Sequence, residues 1–97
     1  MCLVFEWDSK KATINIAKHS VSFAEATTIF GDKCSITIPD PKHSQKEARF
    51  VTIGKTISAQ VIVVVHTERG DKIRIISARQ PIRKERKTYE EIYEQES

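Results

Sequence analysis

The chain has 97 residues, 39% hydrophobic and 30% charged, with a formal net charge of +3, which suits one globular domain spanning 1–97. Three glycines and three prolines exclude a collagen-like or low-complexity polymer. The longest unbroken apolar run, Val61 to Val65, falls far short of the ~18–20 residues of a membrane span, and the early acid Glu6 leaves no room for a secretory apolar segment; a cytoplasmic protein with no membrane partner is expected.

In chain order, Cys2 to Trp7 reads as a short strand. Asp8 suits an N-cap, and Ser9 to Lys18 reads as a helix with Ala12 and Ile16 on its apolar side. Ser20 stands where a left-handed Gly or Asn cap is usual. Ser22 and Glu25 have capping-box spacing, and Phe23, Ala26, Ile29 and Phe30 form one apolar stripe that Gly31 ends. Ser35 to Ile38 alternates as a strand, closed by Pro39-Asp40-Pro41, and Lys42 to Lys46 reads as a polar loop. Arg49 to Gly54 alternates again, with Val51 and Ile53 on one face. After a turn at Ser58-Ala59, Gln60 to Glu68 is apolar on both faces from Val61 to Val65, as a central covered strand requires. Gly70-Asp71 is a hairpin turn, Lys72 to Arg79 the returning strand, and Pro81 opens a last helix with Ile82, Tyr89, Ile92 and Tyr93 as its buried stripe. The order is β-α-α-β-β-β-β-α: an α+β fold, a mainly antiparallel sheet with two N-terminal helices and one C-terminal helix.

The charges follow the hairpin. With an even loop Arg69 faces Lys72, Thr67 faces Arg74, Glu68 faces Ile73 and His66 faces Ile75. Strict alternation then puts Arg69, Lys72 and Arg74 on one side and His66, Glu68 and Arg79 on the other. The last helix carries Arg83, Lys84, Arg86 and Lys87 early and Glu90, Glu91 and Glu94 late, against its dipole by roughly 0.3–1 kcal/mol per well-placed charge. A polyanion or an acidic partner gives those cations a reason; a merely solvated basic surface is the plain alternative.

The chain contains no phosphate-binding glycine loop, dinucleotide fingerprint or nucleophile elbow. Cys2 and Cys34 are isolated, and His19, His43 and His66 lack short metal spacing, so no metal and no cofactor is expected. His, Glu, Arg, Lys and Tyr near a basic surface suffice for metal-free RNA cleavage, in which the ribose 2′-OH is the nucleophile and the protein supplies a base, an acid and cations. Composition permits that chemistry, and equally a non-catalytic basic module that binds an acidic protein or nucleic acid.

Several segments resemble one family, the BrnT toxins: Phe5-Glu6-Trp7-Asp8, Lys18-His19-Ser20-Val21-Ser22-Phe23, Asp40-Pro41-Lys42-His43-Ser44, Glu68 through Arg79, and Glu85-Arg86-Lys87-Thr88-Tyr89-Glu90-Glu91. Ser20, Ala48 and Ser58-Ala59-Gln60 depart from the family pattern of a Gly, an acid and a Gly-Arg turn. The resemblance implies a RelE-like ribonuclease fold and the toxin half of a type II toxin–antitoxin pair. It implies metal-independent RNA cleavage that arrests translation and growth. The partner it implies is a BrnA-like ribbon-helix-helix antitoxin, with promoter DNA bound only through that antitoxin. On this reading Arg49, Arg69, Arg74 and Arg79 are expected to bind or stabilise the scissile phosphate, with Glu68 or His19 as base and His66 or Tyr89 as acid. Arg74, Lys72, Lys18, Arg83 and Arg86 are expected to bind RNA.

Overall fold

A computed structural model describes residues 3–40 and 47–96. Its elements run β1 (Val4–Glu6), α1 (Ser9–His19), α2 (Phe23–Ala26) continued by a 3-10 turn (Thr27–Gly31), β2 (Ile36–Pro39), β3 (Arg49–Lys55), β4 (Val61–Arg69), β5 (Lys72–Arg79) and α3 (Arg83–Glu96). The α+β class and the element order match the sequence reading. The loop read over Lys42 to Lys46, and Cys2 at the start of the first strand, lie outside the described residues. The sheet order is β1-β5-β4-β3-β2, antiparallel except for the β1–β5 pair.

Local chemistry sets the helix ends. The Asp8 carboxylate accepts from the Lys10 and Lys11 N–H groups, and the Ser22 hydroxyl accepts from the Glu25 N–H at 3.0 Å, so each side chain satisfies orphan donors of a first turn. α1 ends on Ser20 at φ 60°, a left-handed residue without a glycine.

The sheet has two apolar faces because β4 is apolar on both. Ile62 and Val64 pack with Ile75, Ala78, Val21, Phe23, Ala26 and Ile29 on the face that α1 and α2 cover. Val61 and Val63 pack with Cys34, Ile53 and Tyr89 under α3. Trp7 lies edge-on to Phe23 at 6.1 Å and lids the first core. The buried stripe of α3 is narrower than its periodicity predicts: Tyr89 is buried and Ile92 half-buried, but Ile82 and Tyr93 are exposed. Tyr93 instead lies under the Lys55 ammonium, 4.0 Å from the ring centre, a contact that needs the water-facing end of the sheet. Ile16 is likewise exposed.

One irregularity decides where the charges go. The hairpin register is as counted from Arg69↔Lys72 to His66↔Ile75, but the next pair is Val65↔Ser77, so Ile76 is an extra residue in β5. A bulge of this kind shifts every following side chain to the opposite face. Arg79 therefore pairs with Val63 and joins the α3 face, which corrects the alternation count that put it beside His66 and Glu68.

Candidate active site

The α3 face holds a cavity of about 440 Å³ lined by Ile38, Asp40, Arg49, Val51, Val65, Ile76, Ser77, Arg79 and Glu85. Its floor is aliphatic and its rim charged, the usual composition of a ligand site. Register explains the gathering. Arg49 sits opposite Thr67, Val51 opposite Val65, and Ser77 opposite Val65 on the other side, so three adjacent strands send same-face side chains to one place. The bulge at Ile76 adds Arg79.

Arg79 is the best-defined side chain there. Its Nη1 and Nη2 donate to the two Glu85 oxygens at 2.8 Å each, and Nη1 also donates to the Gln80 carbonyl at 3.2 Å. Glu85 in turn accepts from the Ile82 N–H at 2.8 Å, the reach-back of a capping box that ties the start of α3 to β5. The fork raises the guanidinium pKa and, through the same bonds, holds the Glu85 carboxyl below the usual carboxylate range despite partial burial. Three of the five guanidinium N–H groups are thus engaged. The Nε–H and the outer Nη2–H, which form the side-on fork, have no partner among the described residues. Arg79 can hold a carboxylate and a second planar oxyanion together.

The other sequence candidates separate by face. Arg69 and Arg49 approach Glu47, at 3.8 and 4.0 Å, so a carboxylate already offsets the like-charge pair Arg69–Lys72 that alternation predicts at the hairpin tip. Arg74 shares the face but is paired with Glu6 at 2.7 Å. Lys72, Arg83 and Arg86 are exposed. Glu68 pairs with Ile73 and points to the α1 face, away from Arg79, so the expected base is not beside the expected phosphate cations. His66, expected as an acid, is a core residue. It is buried between Phe30 and Phe50, its Nε2 lies 2.7 Å from the Thr52 hydroxyl, and burial lowers its pKa to about 4. Tyr89, the other expected acid, is buried beneath α3 and donates to Asp32 at 2.5 Å; burial and that bond raise its pKa. Asp32 also accepts from the Cys34 and Lys55 N–H groups, so Tyr89 is a strut that ties α3 to the loop before β2 and to the end of β3. His19 and Lys18 lie at the end of α1 beside Ile76 and Ser77, across the bulge from Arg79.

Sequence reasoning missed Glu85 as a site residue. It lies six positions beyond Arg79, past Pro81, and only the spacing from Ile82 to Glu85, that of a capping box, hints at its role. Among the described residues no group of three or more His, Cys, Asp or Glu is arranged to hold a metal ion, and no helix is long and apolar enough to cross a membrane.

The profile of a family described as "Ribonuclease toxin, BrnT, of type II toxin-antitoxin system" matches residues 7–85. The chain belongs to the BrnT toxin family. The match includes β1's following cap, both helices of the α1 face, all of β2–β5 and Glu85. Among solved structures, the crystal structure of the Brucella abortus ribonuclease toxin BrnT superimposes with a TM-score of 0.66 at 24% identity, covering 84% of this chain and 100% of that one. The BrnT fold is thereby shared. The comparison with curated proteins finds no match.

Proposed function

We propose that this BrnT-family chain is a metal-independent endoribonuclease of the cytoplasm that arrests translation and growth and is neutralised by a BrnA-like ribbon-helix-helix antitoxin. Promoter DNA would be bound only through that antitoxin. Arg79, with its side-on fork open beside Glu85 in a cavity shared with Arg49, carries the reading. A scissile phosphate held on that fork lies next to the carboxylate held on the other. Glu85 takes the proton of the ribose 2′-OH, and the 2′-oxygen forms a bond to phosphorus. Arg79 and Arg49 stabilise the charge that builds on the equatorial oxygens. The bond to the 5′-oxygen breaks, that oxygen leaves with a proton from solvent, and a 2′,3′-cyclic phosphate remains. Glu85 replaces Glu68 as base because it shares the face of the cations. Arg69, Lys72, Arg83 and Arg86, exposed and outside the cavity lining, would be weaker RNA contacts.

Pure protein incubated with RNA in EDTA is expected to release fragments ending in 2′,3′-cyclic phosphate. Arg79→Lys keeps the charge and loses the fork, and is expected to cut kcat/KM by about 10²–10³-fold. Cleavage that needs an added divalent cation, or a lysine variant as active as the parent, overturns the mechanism. A folded protein with no cleavage and no toxicity on expression leaves the basic interaction module instead.

A further inference from the structure

Ile76 and Ser77 belong to two hollows at once. Besides the cavity of Arg79, they line a second one of about 180 Å³ whose other walls are Lys11, Ile14, Asn15, Lys18 and His19. Lys11, Ile14, Asn15 and Lys18 follow i, i+3, i+4, i+7 and so form one stripe of α1. Asn15 locks that stripe against the bulged strand. Its amide donates to the Ala78 carbonyl at 2.8 Å and to the Val21 carbonyl at 2.9 Å, and accepts from the Ala78 N–H at 3.2 Å. Ile14 is 62% exposed although it stands in the middle of the stripe. Among the described residues no acidic side chain lines the hollow. Its volume is below the ~300–1,000 Å³ of ordinary small-molecule pockets, room for one flat group.

We propose, resting on the RNA-cleavage reading above, that this hollow is the subsite for the nucleotide flanking the scissile phosphate. Its base lies against Ile14 and Ile76, and Lys11 and Lys18 hold the adjoining phosphate. A strand anchored at Arg79 and leaving over the common Ile76–Ser77 wall enters the hollow directly. Single-stranded nucleic acid is commonly held this way, with cations along the backbone and side chains against the base faces. The shared wall favours RNA over an acidic peptide, which would need no continuity with the phosphate site.

The probe is a short 2′-O-methyl RNA, which binds but lacks the nucleophile. Each phosphate contact in a single strand contributes about 0.7 to the salt slope of log K. Lys11→Gln with Lys18→Gln, which removes that one phosphate contact, is therefore expected to flatten the slope by about 0.7 and to raise KM for RNA more than it lowers kcat. Arg at both positions is expected to restore the slope. Lys10→Gln with Lys33→Gln removes the same charge from other exposed places and is expected to leave the slope as it is. Equal flattening by both pairs, or by neither, overturns the subsite. So does loss of antitoxin binding by the Lys11/Lys18 variant with its RNA slope intact. Failure of the parent protein to cleave RNA in EDTA strikes the proposed function itself, a result read from a separate assay.

Discussion

At the scale of single residues, two buried polar side chains carry measurable energy. Asn15 finishes an open sheet edge: β1 covers β5 only from Lys72 to Arg74, and the Asn15 amide supplies both partners that a strand would have given Ala78. Asn15→Ala strands the Ala78 N–H and carbonyl and the Val21 carbonyl in the interior. A loss of about 2–3 kcal/mol is expected from a group set whose unmade bonds cost ~1–3 kcal/mol each, read as a lower denaturant midpoint at unchanged slope. His66 works through pH. Its folded pKa of about 4 lies below the ordinary value of 6.5 because burial disfavours the cation. Above pH 6.5 both folded and unfolded states are neutral there and His66 adds nothing. Between 6.5 and 4 the unfolded chain binds the extra proton, so stability falls as pH falls, by up to about 3 kcal/mol. The lowered carboxyl pKa values of Asp32 and Glu85 act only below their ordinary 3.8 and 4.5, so the upper part of the window reports His66. Denaturant titrations at pH 7 and pH 5 are expected to differ in the parent and much less in His66→Phe.

At the scale of elements, turns tolerate what helices and strands do not. Ser20 and Ala59 hold φ of 60° and 64°, a region that favours glycine. Ser20→Gly and Ala59→Gly are each expected to raise stability by about 0.5–1 kcal/mol, with near-additive effects because the two turns share no partner. Gly54 is the opposite case: a Cβ there would stand 2.9 Å from the Ile29 Cβ and 3.2 Å from that of Ser35, so Gly54→Ala is expected to cost about 1–3 kcal/mol by pushing the 3-10 turn off β3. The helix caps, the central strand and the hairpin down to His66↔Ile75 were legible because each rests on neighbours in sequence: Asp8 with Lys10, Ser22 with Glu25, Arg69 with Lys72. The bulge was not. Ile75 and Ile76 are both apolar, so alternation cannot say which is the extra residue, and Ala78 just beyond is fixed by Asn15, distant in sequence. Missing that one residue turned Arg79 to the wrong face and hid the cavity. His66 and Tyr89 show the same limit. Their chemistry suits catalysis, and only burial against Phe30 and Phe50, or against Asp32, assigns them to the core.

At the scale of the molecule, His66 and the proposed base Glu85 lie on opposite faces of one sheet, and their different responses to pH separate the candidate bases. Glu85, held below the usual carboxylate range by Arg79, stays ionised through pH 5–7, so a Glu85-catalysed reaction has no acid limb near neutrality. An imidazole base loses activity as pH falls through about 6.5. Unfolding driven by His66 begins in that same region, so rate alone is ambiguous. The single tryptophan resolves it: Trp7 packs edge-on to Phe23, and its fluorescence follows the fold while initial rates follow the chemistry. Rates that stay level to pH 5 while Trp7 remains native support the carboxylate. Glu85→Gln, which keeps an acceptor for Arg79 but cannot take a proton, is then expected to lower kcat by about 10²–10⁴-fold with the Trp7 signal unchanged. A fall in rate toward pH 5 while Trp7 remains native overturns Glu85 as the base.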